Sequence, residues 1–489
     1  MNSTRSFFIV AVIAVACLVS CKRDQIIVGN TDYPTDVALI IETKCVNTGC
    51  HNATDKAGEL NLVTWKSMFE GSDAGAVVIP YRPDYSSLMY FINTYPDIGP
   101  TTTSLMPKEG TALSRDEVNK LKAWIAAGAP DSKGNVMFSG NPNRKKYYVV
   151  NQGCRVVTVF DAATNLPMRY VDIADATEQA TSPHEIRVSP DGQYWYVCFI
   201  GGSYIKRYRT TDDAFDGKIY VGNASWNTMA FTPDGKYLFA VDWAQGAGGR
   251  VVKCDLTQMR ITDSTFLNDS PHGSCVSPDG KHVYVTATNG NYIYKIGVDS
   301  LSKPLDYFNY VSLNPQQGPG PTVFYNPHQI VFSPDGTRYY VSCSGNNNVG
   351  DLSLKVFDAA SDSLITSVSL PSSAYEMSIS PSRNLMFISS YDGTTQYPHG
   401  QVMVVDIGNN TFVQSIETGI EPHGIAVDEQ AGLVYVANRN ISNTNPPHHS
   451  SLCGGVNGTV TYINLNTLSL VDDKQVIISR DPYYIAIRP

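Results

Sequence analysis

The chain has 489 residues, enough for two or more domains that each bury a core of their own. Its formal net charge is −9 and no run of Lys or Arg occurs anywhere, which argues against a nucleic-acid partner. Charged residues make up only 17% while Gly (38), Pro (28) and Tyr (29) are plentiful, a balance that points to β structure rather than long helices.

Residues 1–21 read as an export signal that is not part of the fold, with Arg5 as the positive end and Phe7 to Ala16 as the apolar stretch. Leu18-Val19-Ser20-Cys21 resembles the lipobox of bacterial lipoproteins. That resemblance implies cleavage before Cys21 and acylation of that residue, which becomes a lipid anchor. Several acyl chains on one residue hold firmly, since each buried CH2 contributes about 0.8 kcal/mol. The plainer alternative is a secretory signal with an incidental Cys. No later stretch is long or apolar enough to span a bilayer, so the lipid alone would tie the protein to the membrane. The expected location is outside the cytoplasm: periplasmic, or on the outer membrane or cell surface. Residues 22–33 read as a polar tether.

Residues 34–129 read as a small all-α domain. Asp36 to Glu42 is a short amphipathic helix running into Cys45-Val46-Asn47-Thr48-Gly49-Cys50-His51. Two cysteines followed at once by a histidine is the chemistry of covalent haem attachment: the thiols add to the haem vinyl groups and the adjoining imidazole reaches the iron. The spacing between the cysteines is four residues where two is usual, so a local disulfide beside a bystander His is the competing reading. A second axial ligand is available in Met106, within Ser104-Leu105-Met106-Pro107. Ser114-Arg115-Asp116-Glu117 then forms a capping box, opening a helix with Val118, Leu121, Trp124 and Ile125 on one face, and Gly128 stops it. Lys44-Cys45, Gly49-Cys50-His51, Leu60-Asn61-Leu62, Val78-Ile79-Pro80, Leu105-Met106-Pro107 and Trp124 to Ala129 together resemble the cytochrome c domain of planctomycete-type and related bacterial surface lipoproteins. The resemblance implies one covalent haem c, with Cys45 and Cys50 as thioether attachments and His51 and Met106 as iron ligands.

Residues 130–144, rich in Pro, Gly, Asn and Lys, read as a linker. From 145 to 489 the chain repeats: an apolar strand, a Ser-Pro-Asp-Gly turn and an aromatic-rich strand, with turns at Ser189, Thr232, Ser277 and Ser333 and degenerate copies at Ser380 and Asp428. Two further strands follow each pair, and four antiparallel strands per repeat is the grammar of a β-propeller blade. A ring-bearing residue opens each first strand: His184, Trp226, His272, His328, Tyr375, His423 and Tyr483. Seven first strands predict seven blades. The seventh, Tyr483 to Ile487, lacks partners, while Lys146 to Val150, Arg155 to Asp161 and Met168 to Ile173 lack a first strand, so one blade should combine both ends of the chain. Pro422 to Val427 and Leu433 to Asn438 resemble the YVTN-type propeller repeat, which implies an architecture and no particular function. Inserts at 309–327 and 439–457 are where a propeller rim would hold a ligand.

The four repeat histidines, His184, His272, His328 and His423, should line the central channel. Several imidazoles round one axis could hold copper or iron, which would make the protein an enzyme with a metal in the propeller channel; the simpler expectation is that each fills space and bonds a neighbouring backbone group. His399 and the pair His448-His449 read as loop residues. Of the remaining cysteines, Cys154 and Cys453 sit before third strands of neighbouring repeats across the closure, where a bridge would staple the ring; Cys254 and Cys275 are a weaker pair, and Cys198 and Cys343 read as buried small residues. No nucleophile elbow, phosphate loop or His-Glu-x-x-His motif occurs. The sequence thus predicts a membrane-anchored electron-transfer protein whose propeller docks a redox partner or presents a substrate. A non-enzymatic surface-binding or adhesion module, its rim holding a glycan, peptide or protein, is the alternative.

Overall fold

The computed structural model describes residues 31–102, 104–108, 110–174, 181–244, 249–303, 309–314, 325–345, 351–391, 399–442, 452–471 and 475–489. Residues 1–21 with Cys21, most of the tether, the middle of both rim inserts, His448 and His449 lie outside them, as does the side chain of His399. Among the described residues no helix is long and apolar enough to cross a membrane.

Among the described residues the N-terminal part holds four short α-helices, α1 (Thr35–Lys44), α2 (Trp65–Met68), α3 (Ser87–Ile92) and α4 (Arg115–Ala126), and one 3-10 turn at Ala57–Glu59. α1 buries Val37, Ala38, Ile40 and Ile41, positions spaced to fall on one face. α4 starts where Ser114 Oγ accepts the Glu117 N–H and Glu117 Oε2 accepts the Ser114 N–H at 2.7 Å, satisfying two donors that the first turn leaves free. It buries Val118, Leu121, Trp124 and Ile125 and ends at Gly128, whose φ of +102° suits a residue without Cβ. The core is tied by Trp65, whose indole N–H donates to the Ala129 carbonyl at 2.8 Å and whose ring meets Phe69 edge-on at 5.2 Å.

Among the described residues the rest is a β-propeller of six sheets. In the turns, Ser or Thr at the first position donates to the Asp two residues on, as Ser189 Oγ does to Asp191 Oδ1 and Ser333 Oγ to Asp335 Oδ1, both at 2.5 Å. The Gly of each turn takes φ near +70°, which closes the reversal without steric cost. Seven separate blades are not found, and the reason is local. Within Tyr194–Arg209 the chain doubles back near Gly201: Trp195 stacks on Tyr208 at 3.9 Å and the Thr210 N–H donates to the Gln193 carbonyl at 2.9 Å. The next strand, Phe215–Phe231, then runs unbroken, pairing Tyr220 with Tyr204 and Met229 with Ala240. The repeats opened by His184 and Trp226 therefore share one six-stranded sheet.

One sheet joins both ends of the chain in the order Pro482–Ile487, Lys146–Asn151, Val156–Asp161, Leu166–Asp172. Cys154 and Cys453 form a disulfide across this closure, linking residues 299 apart in sequence. A buried ion pair, Lys146 Nζ to Asp213 Oδ2 at 2.8 Å, ties the same sheet to the next. Cys254 and Cys275 are both free, the first packed in the core around Trp226 and the second against the core around Tyr284. Cys198 and Cys343 are buried and free.

The two parts are packed together. Arg82 donates to Asp172 at 3.0 Å and to the Tyr170 carbonyl at 3.1 Å, and Tyr85 stacks on Tyr170 at 4.1 Å. Ile79, Cys154, Val156 and Tyr170 form one apolar cluster, the Ile477 N–H donates to the Ala74 carbonyl, and Phe138 touches the cores of both parts. The helical part is thus seated on the outer edge of the closing sheet.

Candidate functional site

α1 runs into Cys45, whose N–H still reaches the Ile41 carbonyl at 2.9 Å. The chain then folds back on itself: the Cys50 N–H donates to the Asn47 carbonyl and the His51 N–H to the Cys45 carbonyl, at 3.0 and 3.1 Å. Gly49 sits at φ +79°, in the left-handed region, and donates to Asp55 Oδ2 at 2.6 Å. Asn52 braces the turn from the other side, accepting the Thr54 and Asp55 N–H groups at 2.8 Å and donating to the Asn47 carbonyl at 3.0 Å. Bonding to Asn52 and Gly49 holds the exposed Asp55 carboxyl below its usual range.

His51 is the product of that turn. Its Nδ1 lies 3.0 Å from the Ala57 carbonyl oxygen, which can only accept, so Nδ1 carries the proton and Nε2 is left with a free lone pair. Fixing one ring nitrogen on a carbonyl is how metal-ligating histidines are oriented and made better donors. The His51 carbonyl in turn accepts the Leu62 N–H at 2.8 Å, and the Cys50 carbonyl accepts the Ala57 N–H at 3.1 Å. Cys45 and Cys50 are not bridged, so the local-disulfide reading is not what the fold shows. Burial, reinforced by Cys50 and opposed by Lys44, pushes the Cys45 thiol up to about 12. Two unbridged thiols and an imidazole with Nε2 free fit covalent haem attachment. Met106 belongs to another loop, pinned by its N–H to the Phe91 carbonyl in α3 at 2.7 Å; no hydrogen bond ties that loop to the Cys45–His51 turn among the described residues.

The repeat histidines meet around the propeller axis. His184 lies tilted against Tyr483 at 4.2 Å, His423 stacks on Tyr483 at 3.9 Å, His272 lies tilted against His328 at 4.2 Å, and His328 lies 5.5 Å from His423. Nδ1 of His272 faces the His328 carbonyl at 3.1 Å and that of His423 the Tyr483 carbonyl at 3.2 Å, in keeping with the backbone bonding expected of them. His184 departs from that expectation by bonding the Gln152 side chain at 2.6 Å, and His328 departs further: its buried Nδ1 has no hydrogen-bond partner. Burial holds all four imidazoles neutral, with His272 lowered to about 4.

Sequence reasoning passed over Glu376. It occupies the position after the ring residue, as Glu185 and Gln329 do in their repeats, and aligning the repeats by that position would have found it. Gln329 Nε2 donates to Glu376 Oε2 at 3.0 Å, and His328 Nδ1 lies 3.7 Å from Glu376 Oε1. Burial raises the Glu376 carboxyl to about 7. Asn52, Asp55 and Ala57 were also missed, because their roles are hydrogen bonds that a motif does not encode.

Residues 47–110 match the family model of planctomycete cytochrome C. The match takes in Cys50, His51 and Met106 and begins two residues after Cys45. No curated protein matches the chain significantly. Among solved structures, the chain is similar to hydrazine synthase of Kuenenia stuttgartiensis, with 17% identity and a TM-score of 0.50 over 65% of this chain and 92% of that one. It is also similar to a putative 6-phosphogluconolactonase from Bacteroides uniformis, with 14% identity and a TM-score of 0.52 over 71% and 100%. Dihydro-haem d1 dehydrogenase NirN in complex with DHE aligns at 12% identity and a TM-score of 0.46 over 91% and 87%. Identities this low speak to the fold alone. The chain therefore joins a segment similar to the planctomycete cytochrome C family to a β-propeller.

Proposed function

We propose that the protein is an exported electron carrier, anchored through lipid on Cys21, with one covalent haem c in its helical part. Cys45 and Cys50 are the attachment thiols, His51 Nε2 is the proximal ligand and Met106 the distal one. The observation that carries this reading is the His51 ring, locked with Nδ1 on the Ala57 carbonyl beside two unbridged cysteines. The bound haem supplies reversible one-electron transfer. The chain's own contribution is position and environment. Asn52, Asp55 and Gly49 hold the turn, Ala57 orients the imidazole, and Cys45 is packed against the helical core. The Arg82–Asp172 and Tyr85–Tyr170 contacts keep the helical part at one place on the propeller, so a redox partner docked on the propeller meets the haem at a fixed distance.

The test is Met106→Ala in protein matured with a haem-attachment system. The variant keeps its covalent haem but loses the low-spin, sulfur-ligated spectrum and shifts in potential. An unchanged spectrum and potential would remove Met106 from the site.

A further inference from the structure

We infer that the propeller channel holds a second metal site, for a divalent first-row transition ion of the zinc class, built from His328, Glu376 and His423. The three come from three successive repeats, and their ligand atoms all lie within 4.8 Å of one another. Two imidazoles and one carboxylate are a common donor set for such ions and leave a coordination position open for water or a small anion. Zinc bonds of about 2.0–2.2 Å need donors somewhat closer together than this, and the His328 ring, whose Nδ1 is bonded to nothing, is the one that can turn to bring them in.

Independent features point to a cation here. The His423 Nδ1–H is spent on the Tyr483 carbonyl, which leaves Nε2 as a lone-pair donor. Gln329 fixes one oxygen of Glu376 and leaves the other turned toward His328. His328 Nδ1 is buried with no hydrogen-bond partner, a cost that a bound metal would remove. The cationic groups of the channel are already engaged, Arg187 by Glu185 at 2.8 Å and Arg439 by Asp481 at 2.7 Å. Among the described residues no Lys or Arg forms a salt bridge with Glu376, and Arg187, which acts on it from farther off, is already paired with Glu185. His272, its ring tilted against His328 at 4.2 Å and its own Nδ1 bonded, presents a further imidazole beside the three.

This site is independent of the haem. The experiment uses the full chain, stripped with a chelator, dialysed against Zn2+ and analysed for zinc and iron separately, with zinc affinity measured by calorimetry. The expected result is one zinc per chain whatever the haem content. Glu376→Gln and His423→Gln should each weaken binding by at least the ten- to hundredfold that disturbing an outer-shell partner brings. His282→Ala, on another strand, should leave it unchanged. Zinc-edge X-ray absorption on the wild-type protein, which needs no variant to fold, should show nitrogen and oxygen neighbours only. Absence of stoichiometric zinc, binding as tight as wild type in both variants, or sulfur in the zinc shell would overturn the site.

Discussion

His51 and two of the channel histidines, His272 and His423, are oriented by the same device, an Nδ1–H held on a carbonyl oxygen, yet they reach it in opposite ways. His51 is fixed by bonds to residues at most eleven positions away, in a turn that opens to solvent. His423 and His272 are fixed by carbonyls 60 and 56 residues on and are buried. A site made of local bonds can survive on a small domain. A site made of strand starts exists only while the whole ring is closed. Perturbing the two regions separately should show this.

The largest effect is expected from Trp65→Ala, which removes a buried indole and its bond to Ala129. It should destabilise the helical part by about 3–5 kcal/mol while leaving the propeller transition in place, as read by calorimetry. A loss shared equally by both transitions would show that the two parts unfold as one. Next, Cys154→Ser opens the staple across the closing sheet. It should lower the propeller transition by about 2–5 kcal/mol and leave the haem spectrum untouched. Ser114→Ala deletes the α4 cap and should cost the helical part about 1 kcal/mol in denaturant melts.

The smallest effect concerns the turns. Hydrogen bonds from Ser333 and Thr337 lower the exposed Asp335 carboxyl to about 2. Because its folded pKa lies below the ordinary 3.8, the turn's contribution is present above pH 3.8 and is lost as pH falls toward 2. An NMR titration should find that midpoint, and Ser333→Ala should move it up toward the ordinary value. A midpoint unmoved by the substitution would separate the carboxyl from the turn.

How much could be read in advance follows the same division. Cys50-His51 and the Ser114–Glu117 box are contiguous, so the sequence displays them directly. The propeller repeat was legible because Pro-Asp-Gly imposes the same reversal each time, and the unpaired strand at 483–487 pointed to where the ring closes. The number of sheets was not legible. Whether Phe215–Phe231 breaks between repeats depends on a backbone path through Gly222 and Ala224 that no residue pattern marks. Glu376 stands out only when the repeats are aligned by the position after the ring residue, and it becomes notable once three repeats place it beside His328 and His423.

The claim at the centre is that Cys45 and Cys50 carry haem. A pyridine haemochrome spectrum on protein expressed with a haem-attachment system, beside Cys45→Ala/Cys50→Ala, tests it most directly. An acid-acetone-resistant c-type band should appear in the wild type and be absent from the double variant. Wild-type protein without covalent haem, or a band that survives in the variant, would contradict it.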